Sequence, residues 1–259
     1  MKRIVILASL LASLVGASTQ RAAAADSITV FAAASLREAF EAAAPAFTKK
    51  TGTAVTFDFG GSDMLATQLL QAAPASVFAS ANEAQMKRIA DAGLLAAPAK
   101  TFARNRLVVI TPKANARGVN ALADLARPGV VVVLAAATVP VGAYARATFA
   151  KLDGRAGYGA DFRQAVEKNV VSNELDVKAV ATKIALGEAD AGIVYASDVT
   201  PAIADKVRVV RLPLEAATDA AYPIAALAAA PNPAAARAFV NFMLGDGQRY
   251  LKDRGFLSP

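Results

Sequence analysis

Four times in this chain an apolar, strand-like run ends in a small polar or Gly/Pro-containing turn that opens at once into a helical pattern. The junctions centre on Ser35, Ser62, Val141 and Val177. Alternation of this kind predicts an α/β fold, a parallel sheet whose crossovers are helices. It also has a chemical consequence. The first amides of a helix lack an intrahelical partner, and together with the helix dipole they attract anions. Several such helix starts gathered in one cleft would hold a small oxyanion.

The apolar runs at 28–33, 54–59 and 77–80 read as buried strands followed by helical spacing. Residues 107–110 form another, stopped by Thr111-Pro112, and the same grammar restarts at 130–134 and 191–195. A second α/β unit therefore begins near residue 108. Runs at 207–212 and 224–227 precede two terminal helices, 234–244 and 247–252, parted by Gly245-Asp246. The C-terminal portion is expected to return to the first unit. This gives one discontinuous lobe of 26–107 with 217–259, and a second of 108–216.

The first 25 residues read as a secretory signal peptide. Lys2 and Arg3 start it, residues 4–15 are uncharged and mostly apolar, and small residues at 22–25 offer cleavage sites. The run is too short for a comfortable membrane span, and no later segment is apolar for long enough. Removing it takes away Lys2, Arg3 and Arg21 and no acid, which brings the formal charge from +7 to +4 and leaves 234 of the 259 residues. The cations that remain are scattered, without a basic helix or interleaved aromatics, so no nucleic-acid partner is expected. There is no cysteine, hence no lipid-anchoring thiol, disulfide or thiolate metal site. A free, unanchored periplasmic protein fits best. The absence of histidine removes Ser-His-Asp triads, imidazole acid–base chemistry and most transition-metal sites. No enzyme activity, catalytic residue or cofactor is expected.

Each junction carries its own candidate donors. Ser35 sits where a helix cap belongs, and its hydroxyl can cap that helix or turn outward and donate to an anion. Ser62 follows Gly60-Gly61, which allow close backbone approach or positive φ. Asp63 beside it should face outward, since a carboxylate in an anion site would repel the ligand. At Val139-Pro140-Val141-Gly142, proline stiffens the turn, glycine frees the backbone and Val141 offers only its N–H. Asp176 reads as the cap of a helix whose apolar positions Val177, Val180, Ala181 and Ile184 share one face. Tyr195 ends a strand with a neutral hydroxyl donor, at the carboxyl end that faces the crevice where open α/β sheets bind ligands.

Residues 27–256 resemble the periplasmic molybdate-binding proteins of molybdate ABC transporters, which have the type II periplasmic binding protein fold. The resemblance rests on Thr29-Val30-Phe31-Ala32-Ala33-Ala34-Ser35-Leu36, Gly61-Ser62, Val77-Phe78-Ala79-Ser80-Ala81, Leu107-Val108-Val109, Val139-Pro140-Val141-Gly142-Ala143-Tyr144, Asp176-Val177 and Gly192-Ile193-Val194-Tyr195-Ala196-Ser197-Asp198. It implies two α/β lobes, each a mainly parallel sheet flanked by helices, joined by a two-stranded hinge and closing over molybdate or tungstate. It assigns the hydroxyls and amides of Ser35 and Ser62, the amides of Val141 and Val177 and the hydroxyl of Tyr195 to the ligand. It also implies a monomer that serves an inner-membrane ABC permease. Molybdenum would enter only as the oxyanion, without direct protein ligands or a cation in the site. The chain departs from the family at Val141, often alanine, at Ala135-Ala136, often Asp-Pro, at Ser76, usually aspartate, and at Asp63, commonly Ser or Thr. Val141 and Asp63 keep open a carrier of sulfate, phosphate or a small organic anion.

Overall fold

The computed structural model describes residues 27–259, so the signal-peptide reading of 1–25 lies outside the described residues. In chain order the elements are β1 (Ser27–Ala33), α1 (Arg37–Thr51), β2 (Ala54–Gly60), α2 (Ser62–Leu70), β3 (Val77–Ala79), α3 (Glu83–Asp91), β4 (Lys100–Asn105) and β5 (Leu107–Pro112). They continue with β6 (Val132–Ala135), α4 (Pro140–Leu152), α5 (Phe162–Asn169), β7 (Val170–Glu174), α6 (Val177–Ala185), β8 (Ala191–Tyr195), β9 (Val207–Arg211), β10 (Ala220–Ala226), α7 (Pro233–Leu244) and α8 (Gln248–Lys252).

The strands form two five-stranded sheets, ordered β2-β1-β3-β10-β4 and β7-β6-β8-β5-β9. In each, four strands share a direction and one runs against them: β10 in the first, β5 in the second. These reversed strands are the ones by which the chain changes sheets. It crosses first at Arg106, between β4 and β5, and returns over residues 212–219, between β9 and β10. The parallel strands carry helices on their faces, as crossover connections require.

Packing follows from where the large apolar side chains fall. In the first lobe Phe40 and Phe47 of α1 meet Phe239 of α7 edge-on, at ring separations of 5.7 and 5.2 Å, over the sheet. In the second, Phe149 of α4 meets Phe162 of α5 at 5.8 Å. Such offset ring pairs add to the burial of their area.

Three strands differ from the sequence expectation. β4 and β7 are edge strands, with polar sequences KTFARN and VVSNE, so they lack the apolar run that marks a buried strand. β10 begins at Ala220, four residues before the expected strand, and carries Pro223 in its middle. The register against β4 shifts between Tyr222 and Pro223, so a missing proline N–H is tolerated there. Among the described residues no helix is long and apolar enough to cross a membrane.

Candidate functional site

In the first lobe the strands β1, β2 and β3 all end at one place. Beyond β1 the chain makes a short 3-10 turn, Ala34–Leu36, that leads into α1. Ser35 lies in this turn, 2% exposed, and makes no capping hydrogen bond; its Oγ is 3.0 Å from the hydroxyl of Tyr222. Ser62 is the first residue of α2, and its hydroxyl also leaves its own helix uncapped. Ser62 Oγ instead accepts from the N–H of Ala81, just past β3, at 3.0 Å. Both serines therefore act over long range rather than as local caps. An accepted N–H occupies a lone pair of Ser62 and leaves its own proton to donate.

Neither Gly60 nor Gly61 has positive φ, and only Gly61 serves close approach to backbone, since a Cβ on Gly60 would meet just the movable tip of Met64. Gly61 has φ −60° and ψ 132°, ordinary extended backbone, but a Cβ on it would lie 2.5 Å from the carbonyl oxygen of Leu175 in the other lobe. Asp63 is partly buried rather than turned fully outward, and its Oδ1 has no hydrogen-bond partner. It faces a neighbouring groove with Gln85 and Arg88, and does not line the cavity described below.

The second lobe contributes in the same way. After β6, Val139 caps α4 with Pro140 in its first turn, so the amides of Val141 and Gly142 fall among those without an intrahelical acceptor. Gly142 is needed because a Cβ there would collide with the carbonyl oxygens of Ala135 and Ala136. Val141 is 1% exposed and its side chain belongs to the hydrophobic core. After β7, Asp176 caps α6 as expected, with Oδ1 accepting from the N–H of Ala179 at 3.0 Å. This turns the carboxylate to its own helix and leaves the Val177 amide at the helix start. Tyr195 ends β8, 1% exposed, and its buried hydroxyl has no hydrogen-bond partner.

Ser35, Ser62, Val141, Val177 and Tyr195, which the sequence singled out, all line one small cavity. Three strand ends from each lobe surround it, those of β1, β2 and β3 and those of β6, β7 and β8. Its interior room is about 10 Å³, space for roughly one water molecule, far short of the roughly 300–1,000 Å³ that organic ligands usually occupy, so it suits a small ion. No lysine or arginine lines it, and the charged residue that does, Asp176, spends its carboxylate on a helix cap. Among the described residues there is also no group of three or more acidic, His or Cys side chains that could hold a metal ion. The Tyr195 phenol is pushed well above its ordinary 10, first by burial and then by the neighbouring Tyr222, Tyr144 and Asp198, so it remains a neutral donor. An unpaired buried hydroxyl costs about 1–3 kcal/mol. An oxyanion in the cavity would satisfy it.

Around the cavity the lobes are in contact through groups that sequence reasoning missed. Lys178, beside Val177, holds Glu38 of α1 at 2.8 Å and lies 3.3 Å from Asp198 Oδ1. Asp198 is fully buried, and burial lifts its carboxyl to about 6 against the pull of Lys178. On another side Gln85 Nε2 donates to the Thr138 carbonyl at 3.1 Å. Each of these contacts joins residues far apart in the chain, so no local spacing announces them.

Comparison with known proteins agrees with this architecture. The family model for bacterial extracellular solute-binding proteins matches residues 28–257. The molybdate-binding protein ModA of Mycobacterium tuberculosis H37Rv is 42% identical over 237 residues, 91% of this chain and 86% of that protein. ModA of Escherichia coli K12 is 32% identical over 84% of this chain and 83% of its own length. Among solved structures, the periplasmic molybdate-binding protein of Azotobacter vinelandii superposes with a TM-score of 0.75 at 21% identity, covering 90% of this chain and 99% of that one, a likeness of fold. The two helix-flanked five-stranded sheets are thus those of a type II periplasmic binding protein. The chain belongs to the bacterial extracellular solute-binding proteins, which bind rather than transform their ligands, in the group that includes the ModA proteins.

Proposed function

We propose that this protein captures molybdate, and tungstate with it, in the cleft between its lobes and delivers the anion to an ABC permease in the inner membrane. The lobes in this reading are 26–107 with 217–259, and 108–216. Residues 1–25 act as a cleavable export signal, and the mature protein works unanchored in the periplasm as a monomer. The anion is cargo rather than cofactor, and its metal is reached only through its oxygens.

The observation that carries the reading is one small cation-free cavity that gathers the hydroxyls of Ser35, Ser62 and the buried Tyr195 with the helix starts at Val141 and Val177. Seven or so donors to a charged ligand, at roughly 1.5–3 kcal/mol each, supply on the order of 10–20 kcal/mol before desolvation and closure are subtracted. Micromolar binding needs about 8 kcal/mol. The names of the relatives favour molybdate among the tetrahedral dianions. Selection against smaller anions would follow from donors they cannot reach together, each left unpaired at roughly 1–3 kcal/mol.

Calorimetry of the mature protein with molybdate, tungstate, sulfate and phosphate tests the reading. Molybdate and tungstate are expected to bind and the other two not. Ser35→Ala and Ser62→Ala should each weaken molybdate about tenfold or more while the protein stays folded. Binding of sulfate alone, or unchanged molybdate affinity in both variants, overturns it.

A further inference from the structure

A hydroxyl can donate or accept, and a site for a fully deprotonated oxyanion needs it to donate. For Ser62 the backbone decides, because the Ala81 N–H occupies its oxygen. Ser35 has no such amide. Its buried neighbour is Tyr222 of β10, whose oxygen lies 3.0 Å away. Which of the two donates follows from a third residue. Asn105, at the end of β4 and fully buried, accepts the N–H of Arg106 on its Oδ1 at 2.9 Å. That contact fixes the orientation of the amide, since its oxygen must face a donor. Its nitrogen then faces Ser197 Oγ at 2.8 Å and the Tyr222 hydroxyl at 3.5 Å. Tyr222 thus receives a hydrogen bond from Asn105 and has its own proton to give to Ser35. Ser35, having accepted, has its proton left for the cavity.

We propose that Tyr222 is a positioning residue for the anion site: the chain Asn105 to Tyr222 to Ser35 sets the Ser35 hydroxyl as a donor and so biases the cavity toward oxyanions that carry no proton. The inference rests on the reading that Ser35 faces the bound anion. The chain begins where the polypeptide first crosses between the sheets, at Asn105-Arg106, and Asn105 also reaches Ser197 of the second lobe. The donor setting is therefore tied to the hinge. Tyr222 is suited to the role. Its ring is held edge-on between Tyr195 at 5.6 Å and Phe256 at 5.4 Å, and its hydroxyl, pushed well above 10 chiefly by burial, stays protonated.

Tyr222→Phe keeps the ring and removes the relay. Freed from Tyr222, the Ser35 hydroxyl can turn and accept. Molybdate affinity should fall about tenfold, as expected when one charge-assisted hydrogen bond loses its alignment. Hydrogenphosphate, which brings a proton of its own and is not expected to bind the wild type, should compete measurably with molybdate in the variant, so the ratio of the two affinities shrinks. In the Ser35→Ala background the same substitution should add almost nothing, because its effect runs through that hydroxyl. A ring that merely packs would give neither the changed ratio nor the non-additivity. Asn105→Asp, alike in shape but able only to accept from Tyr222 when ionised, should reverse the chain and weaken molybdate more than Tyr222→Phe does, with thermal unfolding confirming a folded protein. Should Ser35→Ala bind as the wild type does, the site assignment itself fails. If Ser35→Ala is weakened while Tyr222→Phe keeps wild-type affinity and selectivity, the positioning role alone is overturned.

Discussion

Gly61→Ala isolates closure from folding. Alanine adopts φ −60°, ψ 132° without strain, so the backbone of the first lobe accepts it. The added Cβ would, however, lie 2.5 Å from the Leu175 carbonyl oxygen, where ordinary contact begins at 3.4 Å. The lobes must part by about 0.9 Å at that point. A donor–acceptor distance of about 2.9 Å lengthened by this much passes the limit of a useful hydrogen bond. In the proposed site the second lobe supplies Val141, Val177 and Tyr195. Losing two of these three donors at roughly 1.5–3 kcal/mol each removes about 3–6 kcal/mol, or at least a hundredfold in affinity. Asp63 Oδ1, 2.7 Å from the same Cβ, is the free end of a side chain and can move. Calorimetry with molybdate, paired with the melting temperature of the ligand-free protein, reads both halves of the expectation: a large loss of affinity and a nearly unchanged unliganded melting point. Molybdate affinity within threefold of wild type would refute the reasoning.

Glu38→Gln removes the cross-lobe ion pair while Lys178 keeps Asp198. With its side chains 22% and 29% exposed, the pair should contribute no more than about 1 kcal/mol to closure, seen as a few-fold weaker and less salt-sensitive molybdate binding; an affinity equal to wild type at low salt would contradict this. Asp198 titrates near 6 folded against an ordinary 3.8, so the folded state binds the extra proton and stability falls as pH rises through that window. The shift corresponds to about 3 kcal/mol, and Asp198→Asn, which can still accept from the Tyr195 N–H, should abolish that part of the slope in denaturant unfolding between pH 4 and 7. Identical slopes in the two proteins would remove Asp198 as the cause.

What was legible in the chain was what is encoded locally. A helix start announces itself through Ser, Gly, Pro or Asp within a few residues, so Ser35, Ser62, Val141 and Val177 could be found one by one, and the cap made by Asp176 with them. Buried strands such as β1 and β8 show as apolar runs. Edge strands do not: β7 alternates between partly buried and exposed positions, and its sequence VVSNE reads as a loop leading to a cap. The glycines were found for an incomplete reason, since Gly61 and Gly142 answer to carbonyl oxygens brought close by tertiary structure and not to backbone angles. Tyr222 was invisible, being 187 residues from Ser35 and inside a strand interrupted by Pro223.

The absence of a cation from the cavity has a physical logic. A buried lysine or arginine would attract any anion and would itself have to be desolvated in the ligand-free protein. Amides at helix starts and the hydroxyls of Ser35, Ser62 and Tyr195 are neutral, so they are buried at lower cost. Their directionality makes affinity depend on how many of them one ligand can reach at once. Such a site is incomplete in either lobe alone, because Ser35 and Ser62 lie on one side and Val141, Val177 and Tyr195 on the other. In the proposed reading binding and closure are one event, and Lys178, which does not line the cavity, joins the lobes by pairing with Glu38 rather than holding the anion.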